Sequence, residues 1–403
     1  MLQNILLLSS TFFRNNLFTL CHLIYTDTFY MKRKWIRWVS WILLTPIILF
    51  VILMVLLYVP PVQNLLRREV TAYASKATGM QIQVERIDLR FPLNLLVRGV
   101  EVIQQPDTLL SLESLNVRVQ AWPLIKGKVE VDEVTLSRVA VNSANLMEGM
   151  KIKGVLGRFF LQSHGVDLSN EIAIINQAEL SDTHVQLLMN DTTTTPKDTT
   201  ASAPVNWKVD LHQLKLKNVS FSMQLPVDSM RMAAHIGEAA IDDAQADLKN
   251  QFYGLKKFLL SGTSASYDTG TAQPIEGFDA SHIAVRDVRI ALDSLLYKGR
   301  DMNAVIREFT MNERSGLSVV SLTGRAYSND SIISVPGLKL KTPHSEIDLS
   351  AHTYWELVNI PTTGRLSANL NAYIGKEDVM LFAGGLPDSF KEAYPFRPLV
   401  IRA

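Results

Sequence analysis

Val84-Glu-Arg-Ile87-Asp-Leu89 is the stretch on which the reading of the fold turns. In a plain strand alternate residues share a face, so two polar residues between Val84 and Ile87 would send those side chains to opposite faces. One bulged, extra residue restores the phase: Val84, Ile87 and Leu89 then stay on one apolar face, and the strand gains twist. The same spacing returns as Leu112-Glu-Ser-Leu115-Asn-Val117, Val131-Asp-Glu-Val134-Thr-Leu136, Ile175-Asn-Gln-Ala178-Glu-Leu180 and Leu211-His-Gln-Leu214-Lys-Leu216. Four further copies begin at Ile236, Ile275, Ile306 and Val335 and bring in Phe278, Phe309, Leu338 and Leu340. The copies start 19 to 44 residues apart, which excludes a solenoid of fixed period and describes similar strands joined by connections of varied length.

The run around the first copy is read as one half-buried strand. Ile87, Leu89, Phe91, Leu93, Leu95 and Val97 alternate with Asp88, Arg90, Pro92, Asn94 and Leu96. Upstream of Gly79 the period is helical. Leu65, Leu66, Glu69, Val70 and Tyr73 predict a short amphipathic helix from Val62 to about Ala77, opened by Pro60-Pro61 and stopped at Gly79.

Val39 to Val59 carries no charge in 21 residues. At about 1.5 Å per residue it is about 31 Å long, the thickness of a bilayer's hydrocarbon core. Trp35, Trp38 and Trp41 before it and Tyr58 at its end suit the two membrane interfaces. Lys32, Arg33, Lys34 and Arg37 precede the span and no cation follows until Arg67, so the amino terminus is expected in the cytoplasm and everything from Pro60 across the membrane. No small-residue cleavage site follows, and the span reads as an uncleaved anchor. Residues 1–30 are apolar and aromatic. MKRKWIRW at Met31 is a natural start for an anchored protein, which makes them an upstream segment; a second hydrophobic segment is the other reading.

Asp191 to Pro204, DTTTTPKDTTASAP, has no apolar periodicity and reads as a flexible loop inserted in one architecture. The expected organisation is therefore 1–30 extra segment, 31–60 basic flank and anchor, 61–78 short helix, 79–190 first part of the β-domain, 191–204 loop and 205–403 continuation. The last residues, Pro398 to Ala403, read as a strand just beginning, as in a fragment.

The chemistry sought in the sequence leaves little. A net charge of +1 gives no footprint for nucleic acid. The single cysteine, Cys21, allows no intramolecular disulfide. The eight histidines show no paired zinc spacing. There is no nucleophile elbow, and Val155 stands where a phosphate loop beginning at Gly149 needs lysine. Asp242-Asp243 occupies the spacer of the strand pattern and reads as solvated outer face. No enzyme, metal or cofactor is expected.

From Met31 to about Asn142 the chain resembles the amino-terminal part of AsmA-like proteins, especially the TamB branch. The basic flank and uncharged span, Pro60-Pro-Val-Gln-Asn-Leu-Leu, Thr78-Gly-Met-Gln-Ile-Gln-Val-Glu-Arg-Ile-Asp-Leu with Phe91-Pro-Leu, Leu109-Leu-Ser-Leu-Glu-Ser-Leu-Asn-Val and Trp122-Pro-Leu-Ile-Lys-Gly-Lys carry it, in that order. Phe309 to Leu349 looks like the form found in Bacteroidota. The resemblance implies a Gram-negative inner-membrane anchor and an elongated, curved antiparallel β-groove in the periplasm that carries phospholipid toward the outer membrane. It also implies an outer-membrane barrel partner, met through a carboxy-terminal region missing here. The expected fold is mainly β, preceded by one transmembrane helix and the short amphipathic helix. Expected groove-lining residues are Ile87, Leu89, Phe91, Leu93, Leu115, Val117, Val134, Leu136, Leu214, Leu216, Phe278, Phe309, Leu338 and Leu340. A scaffold that receives unfolded outer-membrane protein strands at its sheet edges is the alternative function.

Overall fold

A computed structural model describes residues 58–403 apart from 91–92, 105–106, 121–122, 124–129, 144–148, 168–169, 190–205, 227–228, 360–364, 384–387 and 394–396, together with six positions between 44 and 55. Residues 1–63 and 64–403 form separate compact units, and the sheet belongs wholly to the second.

Helix α1, Pro60–Thr78, opens the described fold. It ends where Gly79 takes φ +69°, a conformation costly for any residue with a Cβ, and the Gly79 N–H closes the last turn on Ser75 O at 3.0 Å. One curved, unclosed sheet follows. Its strands are β1 Gln81–Arg90, β2 Asn94–Gln104, β3 Asp107–Val119, β4 Val131–Asn142, β5 Met150–Asp167, β6 Ile172–Met189, β7 Lys208–Leu225, β8 Met230–Asp247, β9 Phe252–Asp268, β10 His282–Lys298, β11 Asp301–Glu313, β12 Ser318–Val319, β13 Ser321–Ser328, β14 Ile332–Lys341, β15 Glu346–Tyr354, β16 Leu366–Ile374 and β17 Leu399–Arg402. Three short helices lie among the last strands: α2 Trp355–Asn359, α3 Lys376–Phe382 and α4 Asp388–Ala393. Strands pair in chain order, β11 bonding to both β12 and β13. Among the described residues β1 pairs only with β2 and β17 only with β16, so the sheet does not close into a barrel.

Three sequence expectations are corrected. The run Ile87 to Val97 is not one strand. β1 ends at Arg90, which pairs back with Asn94 of β2. A proline such as Pro92 has no N–H to give a ladder, and the chain has reversed direction by Asn94. Leu93 lies in that turn, its carbonyl accepting the Val119 N–H at 3.0 Å, and Phe91 lies outside the described residues. The copy at Ile275 is not a strand either. Gly270, Pro274 and Gly277 favour turns over a ladder. The Ile275 and Ser281 N–H groups donate to the Asp279 carboxylate, at 3.1 and 2.9 Å, instead of to a neighbouring strand. Finally, the sheet is antiparallel throughout except at β6–β7, which run parallel. A parallel pair needs the chain to travel back the length of the first strand before the second begins. The stretch between them holds Asp191–Pro204, which lies outside the described residues.

Lys32, Arg33, Lys34, Arg37 and residues 1–30 also lie outside the described residues, as does most of Val39–Val59. Leu44, Thr45, Ile48, Leu49, Ile52 and Val55 are helical. Among the described residues no helix is long and apolar enough to cross a membrane.

Candidate functional site

The bulges expected from the sequence are present, and they align. In all eight copies that lie in strands, the residue left out of the pairing is the first of the two spacers: Glu85, Glu113, Asp132, Asn176, His212, Gly237, Arg307 and Pro336. At Glu85, Glu113, His212 and Gly237 the neighbouring strands skip facing residues, so the register resumes unchanged; at Asp132, Arg307 and Pro336 it shifts by one. Val84 pairs with Val100 and Arg86 with Arg98 across the skipped Glu85 and Gly99. Continued from strand to strand, the skipped positions form a transverse crease: Glu85, Gly99, Glu113, Arg138, Gly157, Asp182, Asn218, Gly237, Gly262. A second crease, six residues away along β6–β9, runs through Asn176, His212, Asp243 and Lys256.

The backbone explains which residues serve there. Gly99, Arg138, Asp182, Asn218, Asp243 and Gly262 all have φ between 44° and 59°. Gly, Asn and Asp reach this left-handed region most readily. Facing crease residues also come unusually close, and a Cβ on Gly157 would sit 2.6 Å from the Asp182 Cβ. Several crease side chains pair with one another: Arg138 with Glu113, the Asn218 amide donating to Asp182 at 2.7 Å, and Lys256 and His212 meeting Asp243 at 3.1 and 3.3 Å. The bond from Lys256, with that from His212, holds the Asp243 carboxyl below its ordinary pKa.

Since each extra residue falls among the polar positions, the other face stays apolar from strand to strand. One cross-strand row reads Ile87, Val97, Leu115, Leu136, Phe159, Leu180, Leu216, Ala239, Leu260, Ile290, Phe309. The adjacent row reads Leu89, Leu95, Val117, Val134, Leu161, Ala178, Leu214, Ile241, Phe258, Leu292, Ile306, Gly324, Leu338, Leu349, Leu370. Leu340 lies between Leu322 and Ile347 in the continuation of the first row. Eleven of the fourteen expected lining residues thus fall on two adjacent rows. Phe278 does not. It sits in the β9–β10 connection against α3, its N–H donating to Leu381 O at 2.7 Å and its ring 5.3 Å from that of Phe382.

Among the described residues no second layer completes a core on this face. On the two rows Ile87, Ala178 and Ala239 are buried and every other residue is half-buried. Among the described residues no large side chain is fully buried. Neighbours within the sheet supply the shielding; α2 touches β15, the strand it continues, and among the described residues no other helix packs broadly on a strand. The opposite face carries Lys215, Lys217, Glu238 and Lys257, all exposed. Among the described residues no group of three or more His, Cys, Asp or Glu side chains is placed to hold a metal ion.

The sequence places Asp242-Asp243, at the second crease on β8, in a spacer of the strand pattern without making it a crease, and the first crease on β7 has no counterpart among the copies. Their signal is the same apolar–polar–polar–apolar spacing, in Ile241-Asp-Asp-Ala244 and Leu216-Lys-Asn-Val219. Fold and site together define an open, single-sheet β protein with one continuous apolar face. No protein-family model matches the chain, and no curated protein matches it.

Proposed function

We propose that this chain is a membrane-anchored, non-catalytic protein of the bacterial cell envelope that conducts phospholipid toward the outer membrane along its apolar sheet face. The observation that carries the reading is the pair of apolar rows left half-exposed on a sheet that no second layer covers among the described residues. A globular β protein buries such a face against a second layer. Here acyl chains would supply the missing layer. Each CH₂ taken from water is worth roughly 0.8 kcal/mol, so a single tail is held firmly while no polar contact fixes its position along the row. Successive strands stand about 4.8 Å apart, and the rows therefore offer a track roughly 70 Å long. Extra residues on the polar face lengthen that side at both creases, which favours a groove concave toward the apolar side. The sequence resemblance to AsmA-like proteins, the expected anchor at Val39–Val59 and a periplasmic location for the sheet agree with this reading.

The test is the lipid content of the full chain extracted in mild detergent and measured by native mass spectrometry. The reading expects several phospholipids per chain, retained through exchange into lipid-free detergent. A chain that retains its fold and carries none contradicts it.

A further inference from the structure

Helix α1 is docked with its amphipathic character reversed. Arg67, Thr71 and Ser75, one turn apart, face the sheet. The Arg67 guanidinium donates to Val84 O and Glu85 O at 3.2 and 3.1 Å, and Ser75 Oγ accepts the Ile82 N–H at 3.0 Å. The helix thereby satisfies the outer edge of β1, an edge otherwise open to strand addition. Three of its large apolar residues point the other way. Leu65 is 58% exposed, Val70 46% and Tyr73 78%. At about 100° per residue these three share a stripe opposite the docked side. A helix whose partner was the sheet alone would bury that stripe and expose the polar side.

We propose that the Leu65–Val70–Tyr73 stripe lies in the interfacial layer of a lipid bilayer, fixing the β1 edge at the membrane surface. Three observations favour a bilayer over other occupants. The helix begins at Pro60, directly after the uncharged stretch Val39–Val59 in the sequence. Exposed Arg68 borders the stripe, and exposed Lys76 lies within it beside Glu69, its long side chain able to reach anionic headgroups. Tyr73, the most exposed of the three, has an apolar ring with a polar tip, which suits the headgroup boundary. The inference rests on the membrane-anchored reading above and adds where the sheet meets the lipid: row residues Ile87 and Leu89 belong to the strand that α1 holds.

The test uses the full chain in vesicles of phosphatidylcholine and phosphatidylglycerol, with Cys21→Ser and single cysteines L65C, Y73C or T78C carrying bimane. Thr78 is exposed on the docked side of the helix. Lipids spin-labelled near the headgroup should quench the probes at 65 and 73 several-fold more than the probe at 78. Equal quenching at all three, or none at 65 and 73, overturns the proposal. Cross-linking between copies through Y73C in place of quenching would assign the stripe to a second copy and overturn it equally. Failure here is distinct from failure of lipid conduction: a chain quenched at position 73 but carrying no lipid on its sheet keeps this inference and loses the other.

Discussion

Leu214→Asp separates an open lipid-bearing face from an ordinary core. Leu214 stands between Ala178 and Ile241 on the second apolar row and is half-buried. Full burial of a leucine is worth about 1.5–3 kcal/mol, so half of that, roughly 1–1.5 kcal/mol, is what the substitution removes from folding. The new carboxylate can stay hydrated on an uncovered face, and the chain should fold with a modest drop in melting temperature. An acyl chain laid across it would strip that water, at a penalty of several kcal/mol. A loss near 3 kcal/mol is about a hundredfold in occupancy. Lys215 is the control: it lies on the polar face beside Glu179 and Ala240, and Lys215→Gln changes a charge without touching the rows. The assay is phospholipid co-purified with the full chain, alongside thermal melting and strand content by circular dichroism. Leu214→Asp should be folded and nearly lipid-free, and Lys215→Gln should match wild type. An unfolded Leu214→Asp would show that Leu214 serves a closed core, and a folded variant with its lipid intact would show that acyl chains do not use this row.

Four further outcomes follow from the geometry and one from the charge asymmetry around Val39–Val59. Gly157→Ala drives a Cβ to 2.6 Å from the Asp182 Cβ and 2.9 Å from its carbonyl oxygen, and should destabilise the sheet by about 1–3 kcal/mol in chemical denaturation. Gly337→Ala, with open space around its Cβ, should leave the midpoint in place. Ser75→Ala removes the acceptor of the Ile82 N–H, so hydrogen exchange at Ile82 should accelerate while that of β2 amides stays unchanged. Asp279 is held below its ordinary pKa by the N–H groups of Ile275 and Ser281 and by the bond from His282. Its stabilising contribution is therefore complete above pH of about 4 and lost as pH falls through the lowered value, and Asp279→Asn should flatten the acid limb of melting temperature against pH. A reporter active only in the periplasm should work when fused after Val141 or after Gly270, and activity of a cytoplasm-only reporter at both sites would reverse the proposed orientation.

Much of the sheet was legible in the sequence because a bulge leaves a mark there. Two polar residues between apolar ones, as in Leu211-His-Gln-Leu214, are compatible with a single apolar face only if one residue is extra, and His212 is that residue. Eleven of the fourteen residues expected on the apolar face share two adjacent rows, as the spacing implies. What the spacing does not hold is register. The alignment of Glu113 with Arg138 and of Asn176 with His212, which turns separate bulges into creases, depends on pairings between distant segments. The errors have local causes. Phe278 carries the strand spacing, yet Asp279 captures the backbone donors around it. Leu93 continues an alternation that Pro92 interrupts. Openness was illegible in principle, since a covered and an uncovered sheet show the same alternation; only the half-buried state of residues such as Leu216 and Phe309 distinguishes them.

Site-specific photo-cross-linking tests lipid conduction most directly. A photoreactive amino acid placed at Leu115, Leu216 or Leu338 samples early, middle and late strands on the apolar rows; Asn116, Lys217 and Lys339 sample the opposite face of the same strands. Irradiated in cells, the full chain should form phospholipid adducts at all three row positions and essentially none at their neighbours. Adducts absent from the row positions, or equally frequent on both faces, would contradict a lipid track along this sheet.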